Sequence, residues 1–155
     1  MITISNLNEA KRVNKPWGYE LWLECAESSP YVMKILHVNA GHRLSLQAHA
    51  EKMETMMIME GSGTLSTCKE PLDVDRWQRN GYSESDKFFL FGSIRDIPVN
   101  AGSLLTIKPG EIHRVTAGDD SDLRLLECST NHLEDVIRIS DDHNRPSGHI
   151  PSEHS

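Results

Sequence analysis

Short apolar or alternating runs, each bounded by turn-forming residues, constrain the fold of this chain more than any other feature. The runs are YELWLE (19–24), YVMKILHV (31–38), TMMIMEG (55–61), KFFLFG (87–92), SLLTIKPG (103–110) and LRLLEC (123–128). Each has the length of a β-strand and contains residues that favour strands. No window carries a sustained 3.6-residue apolar period of helix length. The sequence therefore predicts an all-β fold, a small barrel or jelly roll with little helix.

The chain has 155 residues, enough for one compact domain and too few for two comfortable ones. We predict a single domain over residues 1–140. A polar segment at 66–86 is predicted to form a long loop between strands. The segment HLEDVIRI (132–139) fits either a short helix capped by Asn131 or a final strand.

The C-terminal segment 141–155 is polar, with the sequence DDHNRPSGHIPSEHS. It has too few apolar residues to pack firmly, so we expect it to be poorly ordered. For the same reason we expect its histidines to lie in solvent rather than to bind a metal; they are His143, His149 and His154.

Composition and charge exclude several classes of function. The net charge of -7 argues against a broad surface for nucleic acid. The N-terminus has no apolar signal segment, and no stretch approaches the roughly 18 apolar residues of a membrane span. The cysteines are Cys25, Cys68 and Cys128, an odd number without a C-x-x-C pair, which favours a reduced, cytoplasmic setting.

A constrained motif brings possible metal ligands together near residue 50. Its spacing is Gly41-x5-Gln47-x-His49-x4-Glu54-x6-Gly61. In an extended segment residues i and i+2 share a face, so Gln47 and His49 project to the same side. A turn at 50–53 could return the Glu54 carboxylate toward the imidazole.

A second motif, Gly102-x5-Lys108-x-Gly110-x2-His113, places another histidine just beyond a glycine turn. Together the two motifs offer two imidazole nitrogens, one carboxylate oxygen and one amide oxygen. This mixed donor set suits a divalent ion; Zn²⁺ is the first choice, with Mn²⁺, Fe²⁺ and Co²⁺ as alternatives.

The two segments resemble the paired motifs of the cupin superfamily, G-x5-H-x-H-x3,4-E-x6-G and G-x5-P-x-G-x2-H. Gln47 stands in place of the first histidine, and Lys108 stands in place of the proline. Four longer segments are also similar to the cupin domain of bifunctional bacterial mannose-6-phosphate isomerases. They are KPWGYELWL, GHRLSLQAHAEKMETMMIMEGSGTL, IKPGEIHRV and LECSTNHLEDVIRISDDHNR. The resemblance implies a cupin-type double-stranded β-helix, which we expect to be a stand-alone domain.

The resemblance also implies chemistry. Glutamine, histidine, glutamate and histidine form the zinc set of the phosphomannose isomerases, which favours a metal-dependent aldose–ketose isomerase acting on a sugar phosphate. The corresponding residues here are Gln47, His49, Glu54 and His113. Such an enzyme moves a proton between C1 and C2 and stabilises the enediolate that forms on the way.

Three residues are candidates for catalysis. Glu127 is a carboxylate inside the apolar run LRLLECST and needs a buried partner, so it is either a base in the site or a structural partner of an arginine such as Arg138. Lys34 is the other candidate base. Arg43 is a candidate electrostatic partner for the substrate.

Three further residues are candidates for substrate binding. Arg114 and Lys108 lie beside the ligand segments and could reach a phosphate or hydroxyl group, or could be solvated surface residues. Trp17 could stack on a sugar face, or it could close one end of the core.

Two other readings stay open. One is another cupin sugar enzyme, an epimerase or a free-sugar isomerase. The other is a non-catalytic sugar-binding cupin, because the E-H-W of the related isomerases reads E-T-M at 54–56 and their closing Y-G-R reads H-N-R at 143–145. We expect a homodimer, because apolar strands such as YELWLE could pack against a second copy.

Overall fold

The computed structural model describes residues 1–154, with the side chain of His154 outside the described groups, so the prediction for that histidine lies beyond it. The strands are β1 (Lys11–Lys15), β2 (Gly18–Glu24), β3 (Tyr31–Val38), β4 (Leu46–Ala48), β5 (Glu54–Glu60), β6 (Ser62–Cys68), β7 (Ile94–Asn100), β8 (Leu104–Ile107), β9 (His113–Ala117), β10 (Leu123–Thr130) and β11 (Ile137–Ser140). The helices are α1 (Val74–Arg79), α2 (Glu84–Gly92) and α3 (Pro151–His154), and a 3-10 turn spans Leu7–Glu9.

The strands form two antiparallel sheets that face each other. The first sheet has six strands in the order β1-β2-β3-β10-β5-β8, and the second has five in the order β11-β4-β9-β6-β7. Neighbours in space are mostly distant in sequence, as in a double-stranded β-helix. The prediction of an all-β jelly roll with little helix is confirmed. None of the helices in residues 1–154 is long and apolar enough to span a membrane.

The core lies between the sheets and follows the two-residue period of the strands. In β5, Met56 and Ile58 are each 1% exposed, whereas Met57 and Met59 on the opposite face are 37% and 38% exposed. One cluster of this core consists of apolar residues, among them Leu36, Leu125 and Val115. Each strand therefore has an inward and an outward set of side chains, which decides where polar residues meet.

The prediction of a strand over 87–92 is wrong, because this segment belongs to helix α2. Ser83 caps the helix: its hydroxyl accepts the Asp86 backbone N–H, and the Asp86 carboxylate accepts the Ser83 backbone N–H. Such reciprocal capping favours a helix even where the aromatic residues that follow prefer strands. Only Leu90 of the helix is buried, while Phe88 and Phe89 are 76% and 71% exposed.

Two other segments have more structure than the sequence indicated. The predicted loop 66–86 contains the end of β6, all of α1 and the beginning of α2. The last three residues of the segment 132–139 belong to β11, so the strand alternative is found there, whereas residues 132–136 form no helix or strand.

The segment 141–154 packs against the barrel, although the sequence led us to expect a loosely held tail. Ile150 is 8% exposed, Arg145 pairs with Asp141 at 2.8 Å and Glu153 pairs with Lys15 at 2.9 Å. The sequence reasoning counted apolar residues and therefore overlooked these partly buried ion pairs.

Candidate metal centre and adjoining cavity

Three buried side chains from separate elements meet between the sheets. His49 directly follows β4, Glu54 begins β5 and His113 begins β9. Their exposed fractions are 0%, 1% and 3%. Among the side chains described in residues 1–154, they are the one group of three or more His, Cys, Asp or Glu whose ligand atoms all lie within 4.8 Å of one another.

The carboxylate of Glu54 lies between the two imidazoles. Its Oε1 is 3.3 Å from His49 Nε2 and 3.0 Å from His113 Nε2. The other ring nitrogens face backbone carbonyls: His49 Nδ1 is 2.5 Å from Asp135 O, and His113 Nδ1 is 3.0 Å from Glu111 O. Carbonyls only accept hydrogen bonds, so each Nδ1 carries a proton and donates it.

This tautomer leaves the Nε2 lone pairs of His49 and His113 facing a carboxylate oxygen. Lone pairs at 3.0–3.3 Å repel unless a proton or a cation lies between them. Metal-binding histidines commonly donate their other N–H to a carbonyl in this way. The donor set therefore fits a divalent cation.

Gln47 lies beside this cluster. It is directly opposite His113 in the pairing of β4 with β9, and its amide Nε2 is 3.5 Å from His113 Nε2. The Ser45 hydroxyl donates to Gln47 Oε1 at 2.6 Å. A 180° rotation of the terminal amide exchanges its oxygen and nitrogen, and would turn the oxygen toward the cluster.

Lys52 joins the cluster to a second buried carboxyl group. Its Nζ lies 2.7 Å from Glu54 Oε2 and 3.4 Å from Glu127 Oε1, and its side chain is 13% exposed. Glu54 Oε2 is buried and makes this ion pair without a well-aligned hydrogen bond. One oxygen of Glu54 thus faces the histidines and the other faces a cation.

Burial and neighbouring charges shift the pKa values of the two carboxyl groups, Glu127 and Glu54, in opposite directions. Burial raises the pKa of Glu127 to about 7; Lys52 opposes the rise and Glu54 adds to it. Burial acts in the same direction on Glu54, yet Lys52 and the two imidazoles hold the pKa of Glu54 well below its ordinary value. The Lys52 pKa is raised despite burial, because both carboxylates favour its charged form.

A cavity of about 310 Å³ adjoins the cluster, a volume in the range of small-molecule sites. Gln47, Lys52 and Glu127 belong both to its wall and to the surroundings of the metal ligands. The charged residues that line it are Lys11, Lys15, Lys34, Lys52, Arg138, Arg145, Glu20, Glu127 and Glu134. Six cations and three anions give an excess of three positive charges, although the whole chain carries -7.

Lys34 is held in the cavity wall by an ion pair. Its Nζ donates to Glu20 Oε2 at 3.1 Å and lies 4.7 Å from the centre of the Trp22 ring. Trp22 Nε1 donates to the same Glu20 oxygen at 2.7 Å. Burial raises the pKa of Glu20, but Lys34, Lys15 and the indole N–H together lower it to about 2. Burial likewise opposes the charged form of Lys34, while Glu20 raises its pKa.

The structure brings most of the predicted site residues together. The four proposed ligands are adjacent, and Glu127 and Lys34 line the cavity. Trp17 lines the cavity and is also part of the apolar core, with 3% exposure. The proposed pairing of Glu127 with Arg138 is replaced by Lys52; Arg138 instead donates to the carbonyls of Pro146 and Gly148.

Three predicted residues lie away from the cavity. Arg43 is exposed and makes a bidentate pair with Asp142, both bonds at 2.8 Å. Arg114 is buried, but its guanidinium donates to the carbonyls of Leu44 and Ser140. Lys108 is exposed at the end of β8. Nearness in sequence to the ligand motifs does not determine side-chain direction, so these assignments need correction.

Sequence reasoning missed two charged residues of the site. Lys52 precedes Glu54 by two positions, but the segment between His49 and Glu54 was interpreted only as a turn. Glu20 interrupts the apolar alternation of YELWLE at an inward position, where it is 7% exposed. A charged residue at an inward position of a strand was the available signal for Glu20, as it was for Glu127.

Sequence comparison with protein families places residues 4–88, more than half of the chain, in a family described as mannose-6-phosphate isomerase C-terminal. The chain belongs to this family. No curated protein matches the chain in sequence. The matched region contains the first motif, with Gln47, His49 and Glu54, whereas the second motif and His113 lie beyond it.

Solved structures of several different proteins share this fold. The polyketide cyclase RemF from Streptomyces resistomycificus is 16% identical with a TM-score of 0.62, over 93% of this chain and 89% of that one. A cupin-2 domain protein from Rhodospirillum rubrum is 13% identical with a TM-score of 0.60, over 99% and 84%. Oxalate decarboxylase from Lactobacillus farciminis is 17% identical with a TM-score of 0.60; the match covers 85% of this chain and 34% of that one.

The family member described here therefore spans about a third of the length of that decarboxylase. At sequence identities this low, the structural similarities establish the cupin fold. They do not establish the reaction, which has to be inferred from the residues of the site.

Proposed function

We propose that this chain is a metal-dependent aldose–ketose isomerase acting on a sugar phosphate of the mannose 6-phosphate type. The observation that carries the proposal is the buried His49–Glu54–His113 cluster beside a positively charged cavity that contains a second buried carboxyl group, Glu127. Membership of the mannose-6-phosphate isomerase C-terminal family supports the choice of substrate class.

The proposed ligands are Gln47, His49, Glu54 and His113. Two imidazoles, one carboxylate and one amide suit Zn²⁺, with Mn²⁺, Fe²⁺ and Co²⁺ as alternatives. When bound, such an ion would supply Lewis-acid stabilisation of negative charge on the sugar oxygens.

Glu127 is the proposed acid–base group. Isomerisation needs a group that takes a proton from C2 of the aldose and returns it to C1, and a carboxyl group at the cavity wall can do both. Glu127 is 5% exposed, lines the cavity and is only 3.4 Å from Lys52 Nζ. The lysine ammonium can hold the carboxylate in place and donate a hydrogen bond to a sugar oxygen.

Lys34 is better suited to binding than to proton abstraction. Its ion pair with Glu20 favours the protonated amine, which donates hydrogen bonds and cannot accept a proton. The excess positive charge of the cavity wall would attract a phosphate group, for which Lys11 and Lys34 offer point charges. Lys15 and Arg145 are already paired with Glu153 and Asp141, so they would act mainly through their charge.

A second candidate function is binding of a sugar or sugar phosphate without catalysis. The observation that favours it is the 2.7 Å ion pair between Lys52 and Glu54, which neutralises the site carboxylate with a residue of the chain itself. An epimerase or free-sugar isomerase would use the same cavity and acid–base group, with less need for the positive wall.

The experiment is an assay of the purified chain, reloaded with Zn²⁺, Mn²⁺ or Co²⁺ after chelation, on aldose phosphates and free aldoses. Nuclear magnetic resonance in D₂O follows ketose formation and exchange at C2. We expect mannose 6-phosphate to yield fructose 6-phosphate, and Glu127→Gln to lower kcat by about 100-fold or more at unchanged metal content. Glu70→Gln, at an exposed position, is the matched control. Binding of the sugar phosphate with neither turnover nor exchange would instead support the binding protein.

A further inference from the structure

The C-terminal segment places a carboxylate on two cations of the cavity wall. Lys15 of β1 and Arg145 both line the cavity. Glu153 of α3 bridges them: its Oε2 lies 2.9 Å from Lys15 Nζ, and its Oε1 lies 3.3 Å from Arg145 Nη1. The three side chains are between 6% and 11% exposed. Each oxygen of Glu153 is therefore held by a different, largely buried cation.

The carboxylate of Glu153 neutralises cations that face the cavity. Although burial raises the pKa of Glu153, hydrogen bonds and charge from Lys15 and Arg145 lower it below its ordinary value, so the group is negative at neutral pH. Arg145 has a second partner, Asp141, whose Oδ1 is 2.8 Å from Arg145 Nη2. Removal of Glu153 would leave Arg145 oriented by Asp141, and would release an ammonium and a guanidinium donor to another anion.

The segment that carries Glu153 is fixed at its start by backbone contacts. The Arg138 guanidinium donates to the carbonyls of Pro146 and Gly148, and the Gly148 N–H donates to the Val136 carbonyl at 3.0 Å. The helix α3 that follows has four residues, too few to be stable by itself. Its position therefore depends on contacts with the rest of the chain, among them the ion pairs of Glu153. Loss of these pairs can release α3 while the turn at Gly148 stays attached to the barrel.

We propose that Lys15 and Arg145 form an anion subsite of the cavity, and that Glu153 is its built-in competitor, which the phosphate group of the substrate displaces. A phosphate monoester carries about 1.5 to 2 negative charges and three strong acceptor oxygens at neutral pH, more than a carboxylate does. It can therefore bind the same ammonium and guanidinium more strongly. The choice of a phosphate monoester as the ligand rests on the proposed function; the competition with the C-terminal helix goes beyond it.

The competition affects phosphorylated and free sugars differently. A free aldose has no anionic group that can replace the carboxylate, so its binding leaves Glu153 in place. A sugar phosphate loses part of its binding free energy in separating Glu153 from the two cations. Removal of the Glu153 charge should therefore strengthen the binding of phosphorylated ligands and leave that of the free sugar unchanged.

The first experiment compares Glu153→Gln with wild type by calorimetric titration of the zinc-loaded chain at fixed salt concentration. The ligands are inorganic phosphate, mannose 6-phosphate and free mannose. We expect Glu153→Gln to lower the Kd of both phosphate ligands by about 10-fold. Glu70→Gln is the matched control, because it makes the same change in net charge at an exposed position, and it should change none of the affinities. Unchanged phosphate affinity in Glu153→Gln, or an equal gain for free mannose, would overturn the proposal.

The second experiment tests the subsite with the competitor removed. In the Glu153→Gln background, Lys15→Gln should raise the Kd of inorganic phosphate by about 10-fold, because it removes one of the two cations that the anion would contact. Circular dichroism should show that the fold of the double variant is unchanged. Phosphate affinity that is insensitive to Lys15→Gln in this background would place the anion elsewhere and refute the subsite.

Amide hydrogen exchange, measured by mass spectrometry, follows the displacement itself. We expect saturating inorganic phosphate to increase exchange in the peptide 147–154 of the wild-type chain, because α3 loses the ion pairs of Glu153. Unchanged or slower exchange in this peptide would mean that Glu153 keeps its cations, which contradicts the competition. None of the three experiments requires turnover. A chain that behaves as expected in them, yet does not isomerise mannose 6-phosphate, would support the subsite and refute only the proposed reaction.

Discussion

At the scale of single residues, Asp135 holds the turn that carries two members of the site. Its carboxylate accepts the backbone N–H groups of Ala50, Glu51 and Lys52 at 2.7–2.9 Å, and its carbonyl accepts His49 Nδ1–H. Although burial raises the pKa of Asp135, the three N–H donors lower it below its ordinary value. Asp135 thus fixes the orientation of the His49 ring and the backbone position of Lys52.

We predict that Asp135→Ala lowers zinc affinity by about 10-fold, because it removes the carboxylate that holds the turn between His49 and Glu54, while the backbone carbonyl that accepts His49 Nδ1–H remains. The loss of three acceptor contacts should also lower the free energy of unfolding by about 1–3 kcal/mol. Calorimetric zinc titration and urea unfolding measure the two effects. Asp120→Ala, at an exposed turn, is the control and should change neither. Wild-type zinc affinity in Asp135→Ala would contradict the positioning role.

At the scale of elements, close backbone contacts determine how the strands connect. Gly61 joins β5 to β6 with φ of +85°, a conformation that side chains disfavour. A Cβ atom at this position would lie 2.2 Å from the backbone oxygen of Asp122, which immediately precedes β10. The turn therefore requires glycine both for its own conformation and for the close approach of the neighbouring strand.

We predict that Gly61→Ala lowers the free energy of unfolding by about 2–4 kcal/mol, because the clash is with backbone and cannot be relieved by a side-chain rotation. Gly92→Ala is the control: Gly92 ends α2, has no positive φ, and has no atom within 4 Å of an added Cβ. That change should stay within about 1 kcal/mol. Equal effects of the two substitutions, measured by urea unfolding, would contradict this account of the turn.

The C-terminal segment depends on an ion pair whose contribution changes with pH. Burial raises the pKa of Asp141, but hydrogen bonds and charge from Arg145 lower it to about 2 in the folded chain. A lowered folded pKa means that the pair stabilises the fold above the ordinary aspartate pKa of about 3.9. The contribution is lost as the pH falls through that value toward 2.

We predict that Asp141→Asn lowers the free energy of unfolding by about 1–2 kcal/mol at pH 7, and that the difference from wild type shrinks between pH 4 and about 2. Asp75→Asn is the control, since its 3.6 Å pair with Arg79 on α1 is exposed. That substitution should have little effect at any pH. A difference for Asp141→Asn that grows on acidification would contradict the assigned sign.

At the scale of the whole molecule, the sequence predicted features that depend on local periodicity. The sequence predicted a strand in the run TMMIMEG, which is found as β5, and the two-residue spacing of Gln47 and His49 predicted possible ligands on one side of an extended segment. Prediction from the sequence failed where tertiary contacts determine the local structure. The helix α2 depends on a capping interaction that outweighs the strand preference of its phenylalanines. Lys52, the cavity partner of Glu127, comes from a turn 75 residues away in sequence, so spacing could not reveal it.

The most direct test of the central claim is calorimetric titration of Zn²⁺ into the chelated chain. We predict one tight site per chain, with affinity lowered by about 100-fold or more in His49→Ala and in His113→Ala, because each removes one proposed ligand. Gln47→His should keep or strengthen binding, since imidazole is the better donor. His42→Ala, at an exposed histidine bonded to the Ala40 carbonyl, should bind like wild type. Wild-type affinity in both histidine-to-alanine ligand variants would contradict the assignment of the cluster as a metal centre.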